Sequence, residues 1–158
     1  MLTRDELISE IQSKFTPSCP NGMLLGWDRN RFYDLISSLF VGYKVINQTD
    51  FNYSYCNSFD IEIGRSPIGQ IYVLTIKISF IVDAYTVHVT EYSRDRNRAK
   101  LVQGEEVPET KHKIEKIKRL MEQKGFQEIN DEFNDIVSGV ELELAEEATI
   151  GKCLFDDF

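Results

Sequence analysis

The 158-residue chain carries 18 Lys+Arg against 26 Asp+Glu, a formal net charge of −8, with 42% hydrophobic and 11% aromatic residues. That length suits a single domain spanning 1–158 that buries roughly two thirds of its unfolded surface, and the apolar content excludes bulk disorder. The acidic balance runs against the basic footprint of a nucleic-acid-binding domain, and the longest apolar run, Ile71–Leu74, is far too short to span a bilayer.

In chain order, Thr3-x-x-Glu6 is a capping box that predicts a first helix, with Leu7, Ile8, Ile11 and Phe15 on one face. Thr16–Gly22, with two prolines and Asn-Gly, ends it. Met23, Leu24, Leu25 and Trp27 form an apolar connector that has to pack somewhere. Asp28 is a candidate N-cap for a second helix. There Phe32, Leu35, Ile36, Leu39 and Phe40 repeat at helical spacing, and Gly42 closes the run.

From Tyr43 the period becomes two. Strands are predicted at Val45, at Phe51–Tyr55 and, after a turn at Asn57-Ser58, at Phe59–Ile63. A turn at Ser66–Gly69 precedes the longest strand. Tyr72, Leu74, Ile76, Ile78, Phe80 and Val82 share one of its faces; Thr75, Lys77 and Ser79 share the other. Past Asp83-Ala84, Tyr85, Val87 and Val89 alternate with Thr86, His88 and Thr90. Such a pattern predicts an antiparallel meander whose apolar face is covered by the first two helices.

Arg94–Glu106 reads as a polar connection, and Pro108 as the first residue of a third helix with an Ile114, Ile117, Leu120, Met121 stripe. Gly125 ends it, and Phe126–Ile129 starts a further strand. Val140–Leu144 is predicted as a half-buried strand and Ile150–Phe155 as an interior one. The fold class expected is α+β: a meander sheet of about five to seven strands, two N-terminal helices and a third helix after the meander.

Charge is segregated along this chain. Residues 1–127 carry 16 acids and 17 bases, a net of +1, whereas residues 128–158 carry ten acids and the single base Lys152, a net of −9. In a Val140–Leu144 strand, burying the valine and leucines turns Glu141 and Glu143 outward, about 7 Å apart. Glu146 and Glu147 extend that surface, and Asp156 and Asp157 add to it. A held row of carboxylates suits a basic protein surface.

The second charged feature is basic. Arg94, Arg96, Arg98 and Lys100 alternate with other residues and would project to one side of an extended strand, and the third helix adds Lys111, Lys113, Lys116, Lys118, Arg119 and Lys124, so that the basic 94–124 region could contact phosphates. Nucleic acid is nonetheless disfavoured as a partner by the overall charge. A divalent-metal-dependent hydrolase is a further alternative, in which Glu141, Glu143, Asp156 and Asp157 converge. His88 and His112 lack metal-binding spacing, the three cysteines Cys19, Cys56 and Cys153 show no CxxC pair, and no phosphate-binding or nucleophile motif is present.

No catalytic residue, resident metal or cofactor is assigned on these grounds. The charged start Arg4-Asp5-Glu6 lacks a signal-peptide core, and the cysteine pattern fits a reducing compartment, so the expected location is cytoplasmic, with no membrane partner. The function expected is a non-enzymatic module that engages a basic protein through its acidic C-terminal surface. In size and charge it is similar to the small acidic immunity and antitoxin proteins, which implies a toxin as that partner.

Overall fold

The computed structural model describes residues 1–103 and 108–158. Five strands lie side by side in chain order, each antiparallel to the next: β1 (Val45–Asn47), β2 (Cys56–Arg65), β3 (Ile71–Ser79), β4 (Ala84–Tyr92) and β5 (Ala99–Val102). A sixth, β6 (Gln127–Glu128), pairs in parallel with the start of β4. The helices are α1 (Arg4–Lys14), α2 (Gly22–Leu25), α3 (Tyr33–Leu39), α4 (Pro108–Gln123) and α5 (Ile150–Leu154). This is the α+β class expected, with a six-stranded, mostly antiparallel sheet.

The two-residue period sorts the sheet into two unlike faces. In register across β2, β3 and β4, the rows Phe59–Ile76–Val87 and Ile61–Leu74–Val89 are apolar, whereas Asp60–Thr75–His88 and Ser58–Lys77–Thr86 are polar. The apolar rows form one core with Ile36 and Phe40 from α3 and its C-terminal flank, and with Ile117 and Met121 of α4.

The expectation that the first two predicted helices cover this face is therefore corrected: α3 and α4, the second and third of the predicted helices, do. β3 occupies one edge of β4, β5 and β6 share the other, and the α4 segment between them packs over the apolar face through Ile117 and Met121. α1 packs instead at the end of the sheet. There Leu7, Ile11 and Phe15 meet Tyr55, Cys56, Ile81 and the buried α5 in a second core.

Several local expectations give way to side-chain hydrogen bonds. Asn57-Ser58 does not turn; it lies inside β2. Asn57 is fully buried, and its amide donates to the carbonyls of Asp28 (3.0 Å) and Arg29 (3.1 Å). Its carbonyl accepts from Arg31 Nε at 2.9 Å. The Arg31 guanidinium also donates to the Ile78 and Ser79 carbonyls, at 3.1 and 2.9 Å, and lies 3.6 Å from the ring centroid of Phe80. Burial lowers the pKa of Arg31 to about 10, so it stays charged at neutral pH. Asp28 accepts from Asn30 N and caps no helix, and α3 begins at Tyr33, behind Phe32 in the left-handed region (φ 68°).

β3 ends at Ser79. Phe80 turns away to stack on Trp27, 4.7 Å between centroids, and Val82 packs against the second core. Of the apolar connector only Trp27 packs; Met23, Leu24 and Leu25 are exposed.

Phe51–Tyr55 forms no strand. Its end pairs with the C-terminal segment through Tyr55 N to Phe155 O (2.7 Å) and a bridge between Ser54 and Asp156. Val140–Leu144 is irregular, and Ile150–Phe155 is not a strand, because α5 occupies Ile150–Leu154. A stretch apolar all round suits a buried helix as well as an interior strand. Thr149 decides the matter by capping Lys152 N, and Gly151 lets the Phe133 ring approach within 2.4 Å of where a Cβ would stand. Positions 104–106 of the polar connection lie outside the described residues.

Arg31→Ala leaves Asn57 and two strand-end carbonyls short of a donor. It should cost about 3 kcal/mol in urea unfolding, and Arg31→Lys should recover only part of that. Wild-type stability in Arg31→Ala would mean the cluster is incidental.

Candidate functional site

The chain from Asn130 to Phe158 wraps the sheet end where α1 packs. Arg4 Nε meets Asp135 at 2.6 Å, Gln12 Nε2 donates to Ser138 O at 2.9 Å, and the Cys19 thiol donates to Glu141 O at 3.1 Å. Val140 and Leu142 are half-buried against the second core, while Glu141 and Glu143 are exposed. The outward glutamates that alternation predicts are present, although the strand is not and Leu144, expected inside, is exposed.

A single buried carboxylate organises this loop. Asp157 is fully buried. Its Oδ2 accepts from Glu143 N (2.8 Å) and the Tyr55 hydroxyl (3.2 Å), and its Oδ1 from Leu144 N (3.1 Å) and Ala145 N (2.9 Å). Four donors offset the desolvation of that charge and satisfy three amides outside any ladder. Burial, with the charges of Asp157 and Glu143, raises the pKa of the Cys19 thiol, and burial beside Cys19 and Asp157 raises that of Tyr55. Both groups are neutral at physiological pH. Between Thr16–Cys19 and Gly139–Glu143 runs a groove of 760 Å³ with Glu141 and Glu143 in its lining.

The acids expected to contact a partner thus separate into two kinds. Asp157 is inside the protein. Asp156 pairs with Lys77 and accepts from the Ser54 hydroxyl at 2.8 Å. Both corrections have one cause: the C-terminal segment runs alongside Tyr53–Tyr55 rather than over the surface.

Glu141, Glu143, Glu146 and Glu147 are all exposed, and among the described residues no Lys or Arg pairs with any of them. The sequence signals one half of the Lys77–Asp156 pair: a lysine in the middle of the most apolar strand needs a counter-ion, but nothing local says that Asp156 supplies it. The role of Asp157 carried no such signal.

The basic stripe does not form. Ser93–Arg98 is a hairpin turn, with Ser93 N bonded to Arg98 O and Arg96 in the left-handed region (φ 60°). Arg96 pairs with Glu62 at 3.3 Å and Lys100 with Glu91 at 3.8 Å, and Arg94 and Arg98 are exposed with no carboxylate partner among the described residues. The turn residues Ser93, Asp95 and Asn97 favour local side-chain bonds over an extended strand. The carboxylates proposed to converge on a metal do not do so: among the described residues no three His, Cys, Asp or Glu side chains gather as ligands. Likewise no helix among them is long and apolar enough to cross a membrane.

No protein-family model matches the chain, and neither does any curated protein or solved structure.

Two outcomes are expected. Asp157→Asn replaces one acceptor oxygen by a donor facing donors. It should lose about 2 kcal/mol and speed hydrogen exchange at the amides of 143–145; unchanged protection there would remove Asp157 as the organiser. His88, on the polar face, has its pKa lowered by burial and the charge of Lys77, against Asp60 and Asp156. The unfolded chain then takes up the proton first, so stability falls as pH drops below about 6.5. Urea unfolding at pH 7.5 and 5.5 should show a smaller loss in His88→Gln than in wild type.

Proposed function

We propose that the protein is a non-enzymatic binding module that engages a basic protein through the acidic loop at 141–147. One observation carries this reading: Glu141, Glu143, Glu146 and Glu147 are exposed and lack any cation partner among the described residues, on a loop whose amides Asp157 fixes. Unneutralised carboxylates hold a negative potential that steers a basic partner into place, and a fixed backbone loses less entropy on binding. Asp156 and Asp157 position the loop rather than touch the partner. An immunity- or antitoxin-type inhibitor of a toxin is the specific form proposed, on charge and size. The nucleic-acid alternative, through the basic 94–124 region, is weaker, because Arg96, Lys100 and Lys118 are already paired with carboxylates.

The test begins with a pull-down at low salt, identification of the bound protein, and stopped-flow association with the purified pair. Glu141→Lys/Glu143→Lys should slow association at least tenfold and flatten its salt dependence. A rate equal to wild type would reject the acidic loop as the contact.

A further inference from the structure

We infer that α2 is an apolar plug that seats in a depression of the same basic partner, next to the acidic loop; the inference rests on the reading just proposed. Met23, Leu24 and Leu25 are 66%, 87% and 61% exposed, three large apolar side chains in a row. They do not sit on a loose loop. The Asn21 side chain accepts from Met23 N (3.0 Å) and Leu24 N (3.1 Å), and Trp27 N donates to Gly22 O (2.9 Å) across Gly26 in the left-handed region (φ 72°).

The turn is also pressed onto an aromatic base. Gly22 is buried, and a Cβ there would stand 2.4 Å from the Trp27 ring and 2.9 Å from that of Phe51. Trp27 in turn packs on Phe51 and Phe80. A rigid turn that holds three apolar side chains in water gains nothing for the free protein, since each forgoes about 1.5–3 kcal/mol of burial. Exposed apolar clusters of this kind mark interaction sites.

Its position ties it to the acidic loop. Cys19, three residues before Gly22, donates to Glu141 O. On the other flank, exposed Tyr53 lies two residues past Phe51, and its carbonyl accepts from Asp157 N at 2.9 Å. An apolar centre beside a charged rim is the anatomy of a protein interface. The flanking glutamates disfavour an anionic bilayer, and a second copy of a −8 chain is disfavoured by repulsion. Three side chains also fall well short of the roughly 800 Å² per partner of a stable dimer. A basic protein with an apolar depression fits both halves of the surface.

The experiment titrates ¹⁵N-labelled protein with a 14-residue amphipathic Lys/Leu peptide and with a Lys/Ser peptide of equal charge. The Lys/Leu peptide should shift amides at 22–27 and at 141–147. Leu24→Ser, at an exposed position, should weaken it at least tenfold without changing the salt slope, and the Lys/Ser peptide should shift 141–147 alone. Equal binding of the two peptides, or no shift at 22–27, overturns the plug and leaves the acidic loop standing. Shifts at 22–27 that persist unweakened in Glu141→Gln/Glu143→Gln overturn the acidic loop and the shared partner instead. A Leu24-dependent dimer in sedimentation, or Leu24-dependent binding to phosphatidylcholine–phosphatidylglycerol vesicles, replaces the basic partner as occupant and overturns the inference.

Discussion

The carboxylate of Asp157, sunk in the protein and accepting from three backbone amides and a tyrosine hydroxyl, sets the course of the C-terminal segment. An ionised group at that depth is tolerable only if its lone pairs are filled, so the amides of 143–145 have to come to it. In doing so they bring the acidic loop against the Thr16–Cys19 turn and leave the glutamate side chains in water. Charge repulsion among those glutamates opposes such an arrangement; four hydrogen bonds from neutral donors hold it.

Around that joint the sheet serves two masters. Its apolar face is closed by α3 and α4. Its polar face is held by pairs that cross strands: Thr75 donates to Asp60 at 2.6 Å, and Lys77 reaches Asp156 on the C-terminal segment. Because α4 covers the apolar face, α1 is free to build a second core with α5 at the sheet end, and Arg4, Gln12 and Cys19 near it tether the acidic segment. Arg31 does comparable work where β2 begins and β3 ends, joining β2, β3 and Phe80 through one guanidinium.

The candidate interface inherits its rigidity from both arrangements. Asp157 fixes the loop, and the Trp27–Phe51–Phe80 cluster fixes α2 beside it. Neither surface requires a secondary-structure element of any length, and this is why strand and helix periodicity describe the site poorly. Glu141 and Glu143 were legible because half-burial of Val140 and Leu142 alternates whether or not the backbone is a strand. Asp157 was not, since a carboxylate that caps distant amides looks in sequence like one that faces solvent, and for Asp156 only the need of Lys77 for some counter-ion could be read.

What the sequence alone determined is what depends on neighbours a few residues away: the Thr3 capping box, the α4 stripe from Pro108 to Gly125, the alternation of β2, β3 and β4, and the confinement of net negative charge to the last 31 residues. Tertiary structure decided which helices cover the sheet, that Asn57 continues a strand, that 150–154 is a helix, and that Met23–Leu25 stay in water. Three of those outcomes involve a partner beyond the local window: Arg31 for Asn57, Phe133 for Gly151 beside the local Thr149 cap, and Phe80 for Trp27. Local propensity differs by about 1 kcal/mol or less between alternatives, so a few long-range hydrogen bonds or one buried ring outweigh it.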